Sequence, residues 1–483
     1  MTEKHIAYYL GSKVMAALIN LGALALFVRI GGTETYAAYL IMFAWAYILY
    51  GVTVQWLKFS FFACYKDDSS SDLVSTYLGV LSLGLIAIFV LLFVGYVLGF
   101  ETAQFGIGLV ALILGLSLYE ALLELARIRL HSRVVATGIL SRAILMLTLG
   151  VFSLLVYGTA LGLALAVGAA HLGASIPLLI DGRDKVERKF SADAARALWQ
   201  YGRPMVPAFV LSTTGWQLDR LLLARFAPLS TVGVYGVATD FVRQTMVVIS
   251  EAIAGAYMSV ARAQLAENHV EKATNAMAEA FLAYTALTTF VIAFILRFDQ
   301  LVFGVLFGAE VATAIEPVLF AILVANAVAI YRSYYFEQAS HLTESSHVLL
   351  VVSVIGFAVL VVSSLLLIPS YGMLGAALGV LLGHVSGCLV YAIAWRNRFI
   401  MKLPYLRSAI IAGVAGGTYI LTGWIMHIGS GGVLATIASV ALFAVTSIGV
   451  ARAFNILSLN DLAAGAFVMM RRKLAQRRSP EAN

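Results

Sequence analysis

Charged side chains occur inside long apolar segments of this chain of 483 residues. At the centre of a bilayer each such group costs about 2.5–3.5 kcal/mol on insertion scales, so it has to face a partner charge or water. Most of the cations among them are arginines, whose planar guanidinium binds phosphate oxygens through a fork of N–H groups. A cluster of such cations in a water-filled cavity predicts binding of a phosphate or pyrophosphate, which is otherwise very costly to bring into an apolar environment.

We predict that eight of these residues form a substrate-binding cavity for a phosphate or pyrophosphate. Asp240 and Arg243 share one face of their segment by helical spacing, and Asp219 and Arg220 are adjacent and so point in different directions. The alternative is that these charges form interhelical ion pairs or extend to the membrane interface from helix ends. The predicted set is Arg29, Lys58, Arg142, Asp219, Arg220, Asp240, Arg243 and Arg332.

Two acidic residues, Glu120 and Glu124, lie one helical turn apart in one apolar segment. Two carboxylates at this distance can share a proton, which would couple transport to an ion gradient. The alternative is that they pair with Lys58 or Arg142. No spacing of Cys, His or acidic residues predicts a metal site, and no cofactor motif or nucleic-acid-binding pattern is present.

The composition determines which kind of element carries these charges. The chain is 61% hydrophobic and 12% charged, and its mean hydropathy is +0.93. A soluble domain carries roughly a quarter charged residues, so a water-exposed surface could not be built from this composition. We therefore expect an all-α integral membrane protein, in which lipid solvates the apolar side chains.

A membrane-spanning helix needs roughly 20 mostly apolar residues. About fourteen segments meet this requirement, with the first one retained rather than cleaved as a signal peptide. They lie near 7–29, 36–62, 75–99, 105–127, 137–157, 159–180, 204–224, 232–258, 276–296, 314–336, 347–368, 373–394, 408–428 and 432–452.

The basic residues between these segments predict the orientation of the protein. With fourteen spans and a cytoplasmic N-terminus, the Lys- and Arg-rich loops at 127–133, 181–203 and 396–407 and the tail at 471–478 all fall on one side. Cytoplasmic loops carry such an excess of Lys and Arg. We therefore predict that both termini are cytoplasmic. Part of the 181–203 loop, from Ser191 to Trp199, can form an amphipathic surface helix.

An internal repeat predicts two related halves. The segment 29–39 (RIGGTETYAAY) and the segment 225–235 (RFAPLSTVGVY) place Arg, Thr and Tyr at the same spacing, 196 residues apart. The expected architecture is two pseudo-symmetric six-helix lobes plus two C-terminal helices. The predicted boundaries are a first lobe with its cytoplasmic linker at 1–200, a second lobe at 201–403, two appended helices at 404–454 and a basic cytoplasmic tail at 455–483. Such two-lobed architectures are typical of alternating-access transporters.

Several short motifs resemble one family, the polysaccharide transporters of the multidrug/oligosaccharidyl-lipid/polysaccharide exporter superfamily. In that family's order, the similar stretches are 29–39, 201–207 (YGRPMVP), 216–225 (WQLDRLLLAR), 232–238 (VGVYGVA), 305–308 (VLFG) and 368–377 (IPSYGMLGAA). The resemblance runs over nearly the whole chain. Among the charged residues it matches the family position by position only at Arg29, Asp219 and Arg220.

The resemblance implies a flippase that moves an undecaprenyl-pyrophosphate-linked oligosaccharide across the bacterial inner membrane for O-antigen or exopolysaccharide assembly. It also implies a polysaccharide polymerase and chain-length proteins as partners.

Three alternatives remain open. One is a cation-coupled multidrug exporter of the related branch, which would favour an acidic cavity and twelve spans. Another is an assembly subunit of a polysaccharide export machine that transports nothing itself. The third, an enzyme, is disfavoured because no loop is long enough for a catalytic domain.

Overall fold

The computed structural model describes residues 3–65, 70–99, 102–182, 190–342, 346–395 and 401–456. Within these ranges the regular structure is entirely helical. The helices are Glu3–Tyr50, Trp56–Cys64, Ser70–Val97, Ala103–Ile128, Ser132–Tyr157, Ala160–Gly182, Ala192–Gly202, Val206–Gly215, Leu218–Phe226, Leu229–Ala266, Val270–Arg297, Asp299–Phe307, Ala309–Ile330, Glu337–Leu342, Ser346–Tyr371, Met373–Trp395, Tyr405–Ile428 and Val433–Ala453, with π-helical turns at Gly51–Gln55 and Tyr331–Phe336.

Twelve helical stretches in the described ranges are long and apolar enough to cross a membrane. The twelve stretches correspond to about fourteen predicted spans, because one stretch contains two of the spans and one span is divided into helices too short to be counted. The first stretch, Gly11–Cys64, is 54 residues long and contains both the first and the second predicted span. The seventh predicted span is divided into two short helices. The prediction of a multi-pass, all-α membrane protein is thus confirmed.

Each of these two irregular places has a local cause. Gly32 interrupts the helix Glu3–Tyr50 with a φ of 79° and a ψ of 167°, a conformation that only glycine adopts without strain. In the seventh span, the helix Val206–Gly215 ends before Trp216 and a new helix begins at Leu218. Trp216 and Gln217 therefore lie in a break within the seventh predicted span, and discontinuous spans of this kind commonly form binding sites in transporters.

The amphipathic surface helix predicted between the sixth and seventh spans is confirmed as Ala192–Gly202. Ser191 caps it, because its side-chain oxygen accepts a hydrogen bond from the Ala194 N–H. Trp199 packs edge-on against Trp56, with ring centroids 5.5 Å apart. The basic residues at 183–189, 396–400 and 457–483 lie outside the described residues, so the predicted membrane orientation stays a prediction.

The chain packs as two compact units. The larger comprises 1–248, 300–326 and 346–390, and the smaller comprises 249–299, 327–345 and 391–483. In the larger unit, Gly115 and Gly168 bring the helices Ala103–Ile128 and Ala160–Gly182 into direct backbone contact, since a Cβ on Gly115 would lie 2.5 Å from the Gly168 carbonyl oxygen. Small residues allow such close approach between helices in membranes.

In the smaller unit, the helix Val270–Arg297 packs against Tyr405–Ile428. Arg297 donates a 2.8 Å hydrogen bond to the Tyr419 carbonyl and lies 4.0 Å from the centre of its ring. The first of the two predicted C-terminal helices is therefore held by the half-buried side chain of Arg297. The predicted lobe boundaries at 200 and 403 stay a prediction.

Candidate substrate cavity

The larger unit encloses a cavity of about 330 Å³. This volume is at the lower end of the range for small-molecule sites, roughly 300–1,000 Å³. Its walls come from the first, second and fourth to eighth predicted spans. The charged and amide side chains that line it are Asn20, Glu120, Arg142, Gln217, Arg220, Asp240, Arg243 and Gln244.

Arg220 forms the most buried ion pair in the wall of the cavity. Its Nη2 lies 2.8 Å from the Asp240 Oδ1, and the Tyr36 hydroxyl donates a 3.0 Å hydrogen bond to the Asp240 Oδ2. The Arg220 side chain is 2% exposed and that of Asp240 is 24% exposed. A buried arginine of this kind requires its partner, because an unpaired charge in this position would be strongly destabilising.

Asp219, although adjacent to Arg220, takes different partners. Its Oδ1 accepts a 2.8 Å hydrogen bond from the backbone N–H of Arg220, and its Oδ2 accepts a 2.9 Å hydrogen bond from the Tyr235 hydroxyl. Asp219 is buried and is absent from the lining of the main cavity. It lines instead a water-sized pocket of about 20 Å³, which Arg243 also lines.

Two arginines of the cavity wall have no carboxylate partner among the described residues. Arg142 lies 5.5 Å from the centre of the Tyr119 ring, and Arg243 lies 4.8 Å from the centre of the Trp216 ring. The Nε of each is buried without a hydrogen bond in the described part of the chain. The carboxylates that line the cavity are already paired, Glu120 with Lys58 and Asp240 with Arg220. Arg142 and Arg243 therefore offer N–H donors to an anion.

The acidic pair of the fourth span is divided between two cations. Lys58 Nζ lies 2.6 Å from the Glu120 Oε2 and also donates to the Tyr50 hydroxyl at 3.2 Å. Glu124 Oε2 lies 3.4 Å from Arg127 Nη1. This arrangement favours two separate ion pairs over a proton shared between the carboxylates, and only Glu120 reaches the cavity lining.

The broken seventh span positions the groups around Arg243. Because the helix stops at Gly215 and restarts at Leu218, Trp216 packs on Arg243 while Gln217 reaches the main cavity. The Oε1 of Gln217 has no hydrogen-bond partner within the described ranges.

Two residues of the predicted set lie elsewhere. Arg29 is exposed and donates hydrogen bonds to the carbonyls of Gly304, Val305 and Leu306, so it caps the C-terminus of the helix Asp299–Phe307. Arg332 belongs to the smaller unit, in the π-helical turn Tyr331–Phe336. Of the remaining six, Arg142, Arg220, Asp240 and Arg243 line the cavity, whereas Lys58 and Asp219 contact residues of its wall.

The two copies of the repeated motif meet at one end of the cavity. A Cβ on Gly233 would clash with the Thr33 carbonyl oxygen, so the backbone just before the second span contacts the start of the eighth span there. The cavity lining begins beyond this contact, at Tyr36 and Asp240. Under the predicted topology, this packed end faces the outer side of the membrane.

Sequence reasoning missed the uncharged polar groups of the cavity and its aromatic wall. Asn20, Gln217 and Gln244 line it together with Tyr36, Tyr39, Phe43 and Tyr47. The spacing of these aromatic residues along the second span is a usable signal, since intervals of three and four residues place them on one helical face. Within the described ranges, no group of three or more His, Cys, Asp or Glu is placed to hold a metal ion.

The fold is similar to the folds of several solved membrane transporters. A structure of the lipid II flippase MurJ in an inward closed conformation matches with a TM-score of 0.72 at 12% identity, over 94% of this chain and 98% of that chain. A mutant of the Vibrio cholerae MATE transporter VcmN matches with a TM-score of 0.55 at 13% identity, over 82% and 96%.

A Pyrococcus furiosus transporter of the multidrug/oligosaccharidyl-lipid/polysaccharide (MOP) superfamily, described as having a binding pocket of reversed polarity, matches with a TM-score of 0.54 at 17% identity, over 82% of this chain and 95% of that chain. No family model and no curated protein sequence matches the chain. At these identities the likeness establishes the fold.

Proposed function

We propose that this protein is a flippase that moves an undecaprenyl-pyrophosphate-linked oligosaccharide from the cytoplasmic to the outer leaflet of a bacterial inner membrane, for O-antigen or exopolysaccharide assembly. One observation carries the proposal. Arg142 and Arg243 line a cavity in the membrane-spanning part of the chain without a described carboxylate partner. An anionic group of the substrate would supply both arginines with a partner.

The charge of the cavity favours this substrate over an organic cation. Three arginines and two carboxylates line it, and both carboxylates are paired within the protein. A cationic drug would meet two unneutralised guanidinium groups, whereas a pyrophosphate could accept hydrogen bonds from both. The likeness to the MurJ fold supports the same proposal, because that protein is described as a lipid II flippase.

The packed end of the cavity supports an alternating-access cycle. Arg29, Gly233 and the Tyr36–Asp240 hydrogen bond hold residues of the two predicted lobes together at that end. Transport to the outer leaflet would require these contacts to separate while the substrate occupies the cavity. In this proposal both termini are cytoplasmic, as the basic loops predict. A polysaccharide polymerase with its chain-length proteins would act on the delivered substrate.

The proposal is tested by deleting the gene in its host. We expect lipid-linked oligosaccharide to accumulate on the cytoplasmic side and surface polysaccharide to disappear. Complementation by the Arg142→Gln/Arg243→Gln variant should fail at normal protein levels. The Arg262→Gln variant should succeed, because that arginine is an exposed residue of the same helix as Arg243.

Two other outcomes would contradict the proposal. Normal surface polysaccharide with raised sensitivity to cationic dyes would identify a multidrug exporter instead. Loss of polysaccharide that the Arg142→Gln/Arg243→Gln variant fully restores would identify an assembly subunit without transport of its own.

A further inference from the structure

Five aromatic side chains form a continuous ladder along the second span. Tyr36, Tyr39, Phe43, Tyr47 and Tyr50 follow one another with ring centroids 5.9, 6.1, 6.2 and 5.8 Å apart. The interplanar angles fall from 41° at the Tyr36 end to 20° and 29° in the last two contacts. At about 1.5 Å per residue the ladder is about 21 Å long, which is most of the thickness of a bilayer's apolar core.

The ladder is fixed at both ends by the two ion pairs of the cavity region. The Tyr36 hydroxyl donates to Asp240, the partner of Arg220, and the Tyr50 hydroxyl accepts from Lys58, the partner of Glu120. These bonds hold the terminal rings in place. The rings between them are further held by their stacked neighbours, so the face that they present is preformed.

The middle of the ladder is open to the cavity. Four of its five residues, all except Tyr50, line the cavity. Tyr36 and Tyr39 are buried, whereas Phe43 and Tyr47 are only half-buried. Phe43 and Tyr47 therefore present the ring surface that a ligand can cover.

The groups around these rings select the kind of ligand. An aromatic face carries partial negative charge and attracts the polarised C–H groups on the face of a pyranose ring. The amide groups of Asn20, Gln217 and Gln244 line the same cavity and can hydrogen-bond the hydroxyl groups at the sugar's edge. A purely apolar ligand would leave the Asn20 Oδ1 and the Gln217 Oε1 unpaired, since neither has a hydrogen-bond partner within the described ranges.

We propose that the ladder is a sliding surface for the sugar rings of the substrate, with Phe43 and Tyr47 as its stacking positions. This inference rests on the proposed function, because it names what the cavity does with the part of the substrate beyond the pyrophosphate. Rings spaced by 5.8–6.2 Å give a sugar the next aromatic face before it has left the last one. Arg142 and Arg243 hold the pyrophosphate, and the ladder carries the oligosaccharide.

The test uses the full chain reconstituted in liposomes with two lipids. One is lipid-linked oligosaccharide extracted from the host, whose arrival is detected by an impermeant oxidant of sugars. The other is sugar-free undecaprenyl pyrophosphate, whose arrival is detected by an impermeant phosphatase. We expect Phe43→Leu/Tyr47→Leu to slow transfer of the oligosaccharide lipid about tenfold and to leave transfer of the sugar-free lipid within about twofold.

Two further variants separate stacking from folding. Tyr47→Phe keeps the ring and should slow transfer of the oligosaccharide lipid much less than Phe43→Leu/Tyr47→Leu does. Phe93→Leu removes an exposed aromatic residue outside the cavity lining and should have no effect. If Phe43→Leu/Tyr47→Leu transfers both lipids at the wild-type rate, or slows the transfer of both equally, the ladder is overturned. Either result leaves the proposed function intact. A wild type that transfers neither lipid would contradict the proposed function and the ladder together.

Discussion

The two regions of the cavity differ in how far their polar groups are satisfied. At the packed end, Arg220 is paired with Asp240, Arg29 caps a helix, and Gly233 lies against the Thr33 carbonyl. In the interior, Arg142 and Arg243 have no carboxylate partner in the described part of the chain. A buried charge that keeps its partner avoids the large cost in stability that an unpaired buried charge carries. We propose that the packed end stabilises one conformation and that the interior binds the ligand.

The largest expected effect on the packed end comes from Asp240→Asn. It leaves the buried Arg220 guanidinium without its counter-charge, which should destabilise the fold by about 3–5 kcal/mol. The double variant Arg220→Gln/Asp240→Asn removes both charges and should recover part of this loss. Thermal unfolding of the purified variants in detergent measures both effects.

Glu124→Gln is the matched control, because it breaks the more exposed pair with Arg127 and should cost about 1 kcal/mol or less. If Asp240→Asn costs no more than this control, the Arg220–Asp240 pair does not stabilise the packed end.

A smaller effect is expected from Gly233→Ala, which adds a methyl group against the Thr33 carbonyl. Such overpacking typically costs about 1–3 kcal/mol, and here it falls on the contact between the two repeated motifs. The packed end should then open more readily, which cysteine accessibility from the outer side would detect. Gly255→Ala on the same helix is the control, because no atom within 4 Å meets its Cβ. Equal accessibility in the two variants would show that the contact does not close this end.

The smallest effect is expected from Arg29→Gln. The change removes the charge that caps the helix Asp299–Phe307, and interactions of this kind contribute about 0.3–1 kcal/mol. Arg225, its exposed counterpart in the second motif, provides the comparison as Arg225→Gln. We expect a slightly lower melting temperature for Arg29→Gln alone, with pyrophosphate binding unchanged in both. Weaker pyrophosphate binding in Arg29→Gln would place Arg29 in the substrate site and contradict its structural role.

The sequence could identify the charged residues but could not show which of them would be neutralised. Lys58 and Arg142 look alike in the sequence, since both are isolated cations in apolar segments, yet only Lys58 forms an ion pair with Glu120. Pairing depends on which helices become neighbours, and that is a property of the tertiary fold. For the same reason the sequence does not distinguish Arg332 from the cavity residues, although it belongs to the smaller unit.

The spans could be counted from hydropathy, whereas their interruptions could not be located. Composition predicts an apolar helix over the seventh span and gives no sign that it stops at Gly215 and restarts at Leu218. The sequence consequently gives no sign that Gln217 lines the cavity. The aromatic ladder was readable in principle, because helical spacing alone places its members on one face.

The most direct test of the account is the affinity for inorganic pyrophosphate, measured by titration calorimetry on the full chain in detergent. The wild type and Arg262→Gln should bind equally. Arg142→Gln and Arg243→Gln should each weaken binding about 10- to 100-fold, because a hydrogen bond to a charged group contributes about 1.5–3 kcal/mol. Unchanged affinity in a folded Arg142→Gln/Arg243→Gln variant would contradict the claim that these two arginines bind the substrate's pyrophosphate.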